Sequence, residues 1–140
     1  MRRDLGPSDL GDLLERPLLA VLASRLRDGS TQLSPVWHEW SGKSFDICIP
    51  DGDAKLARVL LDPHVSIVVA ENDLPYRGIE VRGTAEITSE PFAATMRRLA
   101  LRYLGPGADA LYPDGARGAV LRVVPRRIRC WDFADDIDAM

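Results

Sequence analysis

Apolar and polar residues alternate along several short segments of this chain, which is the pattern of strands with one buried face. Within residues 78–88, for example, Ile79 and Val81 alternate with charged residues. Turn-forming residues separate these segments, and Asp28-Gly29 is a typical hairpin turn. The pattern predicts strands at residues 18–25, 31–40, 45–49, 64–70 and 78–88, and a final strand or strand pair at 119–124 and 128–133, broken at Pro125.

Three other segments repeat apolar residues at helical spacing. They are residues 9–15 after a Ser8 cap, residues 54–61 between an Asp53 cap and an Asp62-Pro63 stop, and residues 92–104 after Pro91. Single helices therefore interrupt a series of hairpin-connected strands. This order predicts a mainly β, antiparallel fold, a small β-barrel with peripheral helices.

The strand predicted at residues 31–40 is unusual because it contains a proline and two tryptophans. Pro35 cannot donate a ladder hydrogen bond, so it requires a bulge, a sheet edge or a gap beside the strand. Trp37 and Trp40 would face opposite sides of a regular strand. One of them belongs in the core, and the other is exposed, at an interface, or stacked on a ligand.

Composition narrows the class of protein. A length of 140 residues predicts a single domain, 1–140, and a hydrophobic fraction of 46% is enough to build a core. The net charge of −3 argues against a nucleic-acid partner. Two cysteines without a paired motif argue against a disulfide framework or a metal site.

The N-terminal residues are not expected to form a signal peptide, since no long apolar segment follows Arg2 and Arg3, and no apolar run is long enough to span a membrane. The expected location is therefore the cytoplasm, with no membrane partner. The acidic tail, residues 134–140, is expected to be frayed.

The start of the helix predicted at 54–61 is a candidate anion site. Lys55 and Arg58 are three residues apart and share a helix face, and free N–H groups at a helix start attract anions. Asp51 and Asp53 lie beside them, however, and would repel a phosphate. A capped, solvated helix start is the alternative interpretation.

Further cationic and aromatic residues could meet a ligand or a partner chain, or simply face solvent. Trp131 ends an alternating basic and aromatic strand, and Tyr76 precedes the long strand at 78–88. The sequence contains no hydrolase triad, zinc-protease motif or phosphate-binding loop. The remaining cationic candidates are Arg97, Arg98, Arg102, Arg127 and Arg129.

Taken in order, these motifs resemble the pyridoxamine 5′-phosphate oxidase-like proteins, and most closely their branch that uses the deazaflavin coenzyme F420. The resemblance extends from about Leu13 to Phe133. The motifs that carry it are SPVW at 34–37, Ala54-Lys55 with Asp62-Pro63 and Val65-Ser66, PYRGIEVRGTAEI at 75–87, RYLG at 102–105 and WDF at 131–133.

The resemblance implies an FMN-binding-type split β-barrel with Greek-key-like connections. It also implies a homodimer whose cofactor lies in the cleft between the two barrels. Lys55 matches the family's phosphate-binding lysine, and Arg58 stands where asparagine is common. Pro35, Val36 and Trp37 would line the ring, and Trp131 would reach the cleft from the partner chain. The five arginines could attract the coenzyme's acidic tail.

One region departs from the family's pattern. Cys48 and Ile49 stand where the family often has serine and threonine, and the following loop carries Asp51 and Asp53 in place of an arginine. The expected function is hydride transfer from reduced F420 to a small organic molecule. The alternatives are an FMN-binding oxidoreductase, or a non-catalytic barrel that has lost its phosphate site. No catalytic residue is assigned; Tyr76 and solvent are the candidate proton donors.

Overall fold

The computed structural model describes residues 1–138 as one antiparallel sheet with three helices. The sheet order is β3-β2-β6-β7-β8-β5-β4, and β1 pairs with β8 beside this path. The strands are β1 (Arg2–Leu5), β2 (Ala20–Arg25), β3 (Thr31–Val36), β4 (Glu39–Trp40), β5 (Phe45–Pro50), β6 (His64–Ala70), β7 (Gly78–Ile87) and β8 (Gly118–Asp132). The helices are α1 (Ala54–Leu61), α2 (Phe92–Leu104) and α3 (Ala134–Asp138).

Two residues, Trp37 and His38, explain why this sheet curls into a barrel. They are the whole connection between β3 and β4, yet these strands stand at opposite ends of the sheet order. A connection this short spans only about 10 Å, so the two ends of the sheet must approach each other. The prediction of a small antiparallel β-barrel with peripheral helices is therefore confirmed.

The barrel interior is filled by the inward-facing residues of the strands. In β5, Phe45, Ile47 and Ile49 are all fully buried, as the two-residue period of a strand requires. Val59 of α1 also joins this cluster. A second, smaller cluster of Phe92, Met96 and Leu99 lies under α2, outside the barrel.

Local sequence features place α1 and α2 where they were predicted. Asp53 caps α1 by accepting a hydrogen bond from the Lys55 backbone N–H, at 2.8 Å, and Asp62-Pro63 follows its last residue. Pro91 immediately precedes α2. These signals lie within one turn of the helix ends that they mark, so the sequence is sufficient to position the ends.

The predicted helix at 9–15 is wrong. A 3₁₀ turn at Pro7–Leu10 is followed by further turns, because Gly11 has a positive φ of 60° that interrupts a helix. The prediction also missed β1, whose pairing with β8 involves residues more than a hundred positions away. The tail predicted as frayed instead begins with α3, and its last two residues, 139–140, lie outside the described part.

Two predicted strands have different limits in the structure. The segment 31–40 divides at Trp37-His38, where the barrel closes. The segments on either side of Pro125 are one continuous strand, β8, with a bulge at this point opposite Gly83. No helix among residues 1–138 is long and apolar enough to cross a membrane.

Candidate functional site

A cleft of about 290 Å³ lies between the end of β3, the end of β5, the start of α1 and the inner face of α2. It brings together five of the predicted cofactor residues, which the sequence places up to 20 positions apart. They are Pro35, Val36, Trp37, Cys48 and Lys55.

Trp37 forms an aromatic wall of this cleft. Its ring stacks on Tyr103 of α2, with ring centroids 5.1 Å apart and an interplanar angle of 6°. The Tyr103 hydroxyl donates to the Leu18 carbonyl at 2.7 Å and accepts from the His38 backbone N–H at 3.1 Å. Because both sides of the hydroxyl are engaged, Tyr103 holds the orientation of the Trp37 indole.

Pro35 lies on the free edge of the sheet. Its strand, β3, pairs only with β2 on the sheet path, where Pro35 faces Val21. A proline is tolerated there because its missing N–H belongs to an edge. Among residues 1–138 no second strand pairs with β3, so of the three alternatives that the sequence left open, a bulge, an edge or a gap, Pro35 lies at an edge.

Lys55 supplies the cation of the cleft, but a carboxylate already contacts it. The Lys55 ammonium lies 2.8 Å from Oδ2 of Asp53, while Oδ1 of the same carboxylate caps α1. The hydrogen bond from Lys55 holds the pKa of Asp53 below its ordinary value. An incoming phosphate must therefore compete with Asp53 for this lysine.

Cys48 faces the cleft as a neutral thiol. Burial, and secondarily the Glu39 carboxylate, raise the pKa of Cys48 to about 12. A thiol with this pKa is protonated at neutral pH and is a weak nucleophile and a weak hydrogen-bond donor. Where the resemblance implies a hydroxyl donor, this cleft therefore presents a mainly apolar surface.

His38 lies directly behind the aromatic wall and is fully buried. Its ring packs edge-on against Phe45 and Tyr103, and neither ring nitrogen has a hydrogen-bond partner in the described part of the chain. Burial lowers the pKa of His38 to about 4. The residue is therefore a neutral packing group at neutral pH and not an acid–base catalyst.

Three predicted cofactor residues lie outside the cleft of their own chain. Ile49 is fully buried in the barrel core, because adjacent strand residues face opposite sides and Cys48 occupies the cleft side. The Arg58 guanidinium turns away to the Gln32 side-chain oxygen and lines a different cavity. Trp131 packs over Gly78, with the Arg129 guanidinium 4.9 Å from its ring centroid.

The arginines of α2 are engaged in contacts within the chain. Arg97 contacts Asp114, Arg98 contacts Glu39, and Arg102 donates to the backbone carbonyls of residues 14, 15 and 16. They are thus less available to a ligand tail than the sequence suggests. Arg127 and Arg129 lie on the exposed face of β8. Tyr76 does not line this cleft.

The sequence analysis missed part of the lining. Met96 and Leu99 belong to the apolar repeat of the helix at 92–104, and the structure shows that this repeat also forms a wall of the cleft. Tyr112 comes from the glycine-rich loop after α2. Among the residues that the structure describes, no group of three or more His, Cys, Asp or Glu side chains could hold a metal ion.

Comparison with known proteins identifies the family of the chain and solved structures that share its fold. The family profile described as Pyridoxamine 5′-phosphate oxidase matches residues 8–132. A structure described as an F420 reductase is 33% identical, with a TM-score of 0.76; the match covers 88% of this chain and 98% of that one. No curated protein sequence matches the chain.

Two further structures share the fold. A conserved hypothetical protein from Mycobacterium tuberculosis is 24% identical, with a TM-score of 0.75 over 94% of this chain and 88% of its own. An FAD-binding protein from Mycobacterium smegmatis is 15% identical, with a TM-score of 0.66 over 95% of this chain and 98% of its own. The fold is thus one used by deazaflavin and flavin proteins, and the chain belongs to the pyridoxamine 5′-phosphate oxidase family.

Proposed function

We propose that the protein is an oxidoreductase that uses reduced F420 to transfer a hydride to a small organic acceptor. One observation carries the proposal. A single cleft presents a flat, apolar wall at Pro35, Val36 and Trp37 and a cation at Lys55. A planar ring bearing a phosphate-linked chain has this distribution of apolar and anionic parts. The 33% identity to an F420 reductase favours the deazaflavin.

The residues present fit such a group, although the Asp53 carboxylate competes with its phosphate for Lys55. When bound, the deazaflavin supplies the hydride. The chain's own task is to bind and orient the ring against Trp37, which Tyr103 fixes, and to exclude water with Met96 and Leu99. Lys55 would hold the phosphate after displacing Asp53.

A second copy of the chain would complete the cleft. A volume of about 290 Å³ is just below the roughly 300–1,000 Å³ of ligand pockets and is small for a ring that carries a phosphate-linked chain, so one chain provides only part of the enclosure that such a cofactor needs. An apolar stripe continues from Pro35 across the outer face of the sheet. It consists of Val21, Val68, Ala23 and Leu33, with Leu33 67% exposed.

We therefore propose a homodimer that packs along this stripe, in which the partner's Trp131 approaches the cleft. Light scattering should give a mass twice the 15.5 kDa of the chain. A monomer at micromolar concentration would contradict the proposal. Location in the cytoplasm is proposed as well, on the grounds that reduced F420 would have to be regenerated inside the cell.

Parallel titrations with F420 and FMN test the cofactor. Trp37 lies in the cleft, so binding of a ring against it should quench its fluorescence. We expect saturable quenching by F420 in the micromolar range or below, and at least tenfold weaker quenching by FMN. A yellow protein with the spectrum of FMN would instead establish the flavin alternative. The absence of quenching by either ligand would favour a non-catalytic barrel.

A further inference from the structure

A second depression, of about 290 Å³, lies on the outer face of the sheet where β2, β6, β7 and β8 run side by side. We call it the bulge pocket. Four arginines line it, together with His64, and its lining includes no aspartate or glutamate. This is a strong local excess of positive charge in a chain whose net charge is −3. The four arginines are Arg25, Arg82, Arg126 and Arg127.

The bulge in β8 creates this concentration of charge. Consecutive residues of a regular strand face opposite sides, yet Arg126 and Arg127 both line the pocket. In the β7–β8 pairing, Gly83 faces Pro125 and Arg82 faces Arg127, so Arg126 is the extra residue of the bulge. Bulges re-aim side chains in this way and are frequent beside functional sites.

Glycine is required at position 83 for the bulge to form. A Cβ atom there would collide with the Val124 carbonyl oxygen, because the two backbones approach each other closely at this point. The bulge thus depends on three residues together: Pro125, the extra residue Arg126, and Gly83 on the neighbouring strand. Its result is to direct two consecutive guanidinium groups into the same depression.

Carboxylates near the pocket neutralise only part of its charge. Asp62 lies 3.8 Å from Arg25 and 2.9 Å from the His64 ring, and Glu80 lies 3.4 Å from Arg82. Glu80 is also shared with Arg129, at the same distance. The cationic partner in each contact is well exposed and the carboxylates are partly exposed, so each contact is weak.

Among the side chains of residues 1–136, none forms an ion pair with Arg126 or Arg127. The Nε group of Arg126 donates to the Thr84 hydroxyl at 2.8 Å, a neutral contact that orients the guanidinium without cancelling its charge. Hydroxyl groups of Ser66 and Thr31 also line the pocket and can donate hydrogen bonds. The pocket therefore offers fixed positive charge and neutral donors together.

We propose that the bulge pocket binds a small phosphate-class oxyanion, either free phosphate or the phosphate group of a small molecule. Guanidinium groups match the geometry of such anions through paired hydrogen bonds. The pocket's volume suits a small ligand. It shares no lining residue with the cleft that contains Lys55, so the two sites are separate, but it shares Ala23 with the apolar stripe proposed for the dimer and therefore borders that interface. Arg127, expected from the family resemblance to meet the coenzyme's acidic tail, lies in the bulge pocket.

Thermal unfolding in inorganic phosphate tests the proposal. Phosphate replaces chloride at constant ionic strength, so that general screening is the same throughout. We expect the melting temperature of the protein to rise saturably with phosphate, because an anion that binds the folded state stabilises it. No saturable rise would overturn the proposal. A small phosphate monoester that saturates at lower concentration than inorganic phosphate would identify an organic ligand.

Two variants test whether the rise in melting temperature comes from phosphate bound in the bulge pocket. In Arg127→Gln the phosphate concentration for half-saturation should rise about tenfold or more, whereas the exposed Arg3→Gln should behave as the unchanged protein. Without phosphate, Arg127→Gln should melt at the same temperature or higher, since it relieves like-charge repulsion. A lower melting temperature would make Arg127 a structural residue and overturn the proposal.

The variant Lys55→Ala separates this site from the proposed cofactor cleft. It should keep the full response to phosphate. If Lys55→Ala abolishes the response and Arg127→Gln retains it, the anion belongs to the cleft and the bulge pocket is not a binding site.

Discussion

Replacing Glu71 by glutamine should lower the free energy of unfolding by about 3 kcal/mol at neutral pH. Glu71 follows β6, and its side chain is 2% exposed. Its two carboxylate oxygens accept three hydrogen bonds from Arg77, one of them from the backbone N–H, and a fourth from Arg16. Glutamine would place an NH₂ donor against guanidinium donors.

The lost contacts hold together segments that are distant in the sequence. The Arg77 guanidinium also donates to the Leu10 carbonyl at 2.8 Å and contacts Asp12 at 2.9 Å. Glu71 therefore orients an arginine that ties the loop between β6 and β7 to the N-terminal turns. Without the carboxylate, Arg77 is left as a charge that is only 18% exposed and has lost its main partner.

The same group predicts how stability depends on pH. The hydrogen bonds from Arg77, above all, lower the pKa of Glu71 from 4.5 to about 2. Because the folded-state pKa is the lower one, the stabilisation is complete above about pH 5 and is lost as the pH falls from 4.5 toward 2. The difference between the two pKa values corresponds to about 3 kcal/mol.

Urea unfolding of the protein and of Glu71→Gln between pH 7 and pH 2 measures both effects. The gap between the two proteins should be widest at pH 7 and should close as the pH approaches 2. Glu86→Gln is the matched control, because Glu86 is exposed and the described residues give it no ion pair. Equal losses in the two variants, or a gap that does not depend on pH, would refute the prediction.

Elements whose limits are set within one turn could be predicted from the sequence. Helix α1 begins and ends at the predicted residues, because its cap, Asp53, and its stop, Asp62-Pro63, act on neighbouring backbone groups. The turn at Asp28-Gly29 and the strand at 64–70 are of the same kind. In these segments the local preference agrees with the global fold.

Features that depend on closure of the barrel could not be predicted in this way. The break between β3 and β4 exists because the two edges of the sheet meet at Trp37-His38. Strand β1 exists only because β8, more than a hundred residues away, offers it an edge. Neither feature can be recognised from any ten consecutive residues of the sequence.

The residues of the site could likewise be predicted only where they lie close together in the sequence. Cys48 and Lys55 both line the cleft, and they lie on either side of the short connection between β5 and α1. The two-residue period of β5 already implied that Cys48 and Ile49 could not both face the cleft, and the resemblance obscured this. Met96 and Leu99 needed the packing of α2, which only the tertiary structure provides.

Replacing Lys55 by alanine should weaken F420 binding by roughly ten- to hundredfold. Lys55 is the one cation among the residues that line the cleft. A phosphate there would lose its single charge-assisted contact. The stability of α1 should not change, because Asp53 accepts its capping hydrogen bond from the backbone N–H, which alanine retains. Quenching of protein fluorescence on titration with F420 gives the affinity.

Lys43→Ala is the matched control for this experiment. Lys43 is an exposed lysine in the turn before β5, and its loss changes the net charge by the same amount. F420 affinity should be unchanged in this variant. If Lys43→Ala and Lys55→Ala bind F420 equally well, Lys55 does not contact the phosphate and the cleft must be oriented differently.

The variant Asp53→Asn tests the role of Asp53, and its expected effect on F420 affinity is opposite to that of Lys55→Ala. Asparagine caps a helix about as well as aspartate, so Asp53→Asn should leave α1 intact while removing the charge that now holds Lys55. If Asp53 competes with the phosphate, Asp53→Asn should bind F420 roughly three- to tenfold more tightly. Weaker binding would mean instead that Asp53 positions the Lys55 ammonium for the ligand. Asp51→Asn is the control, because Asp51 is exposed and its loss removes the same charge. A larger effect of Asp53→Asn than of Asp51→Asn on F420 affinity would show that the direct contact with Lys55 matters, and not only negative charge beside the cleft.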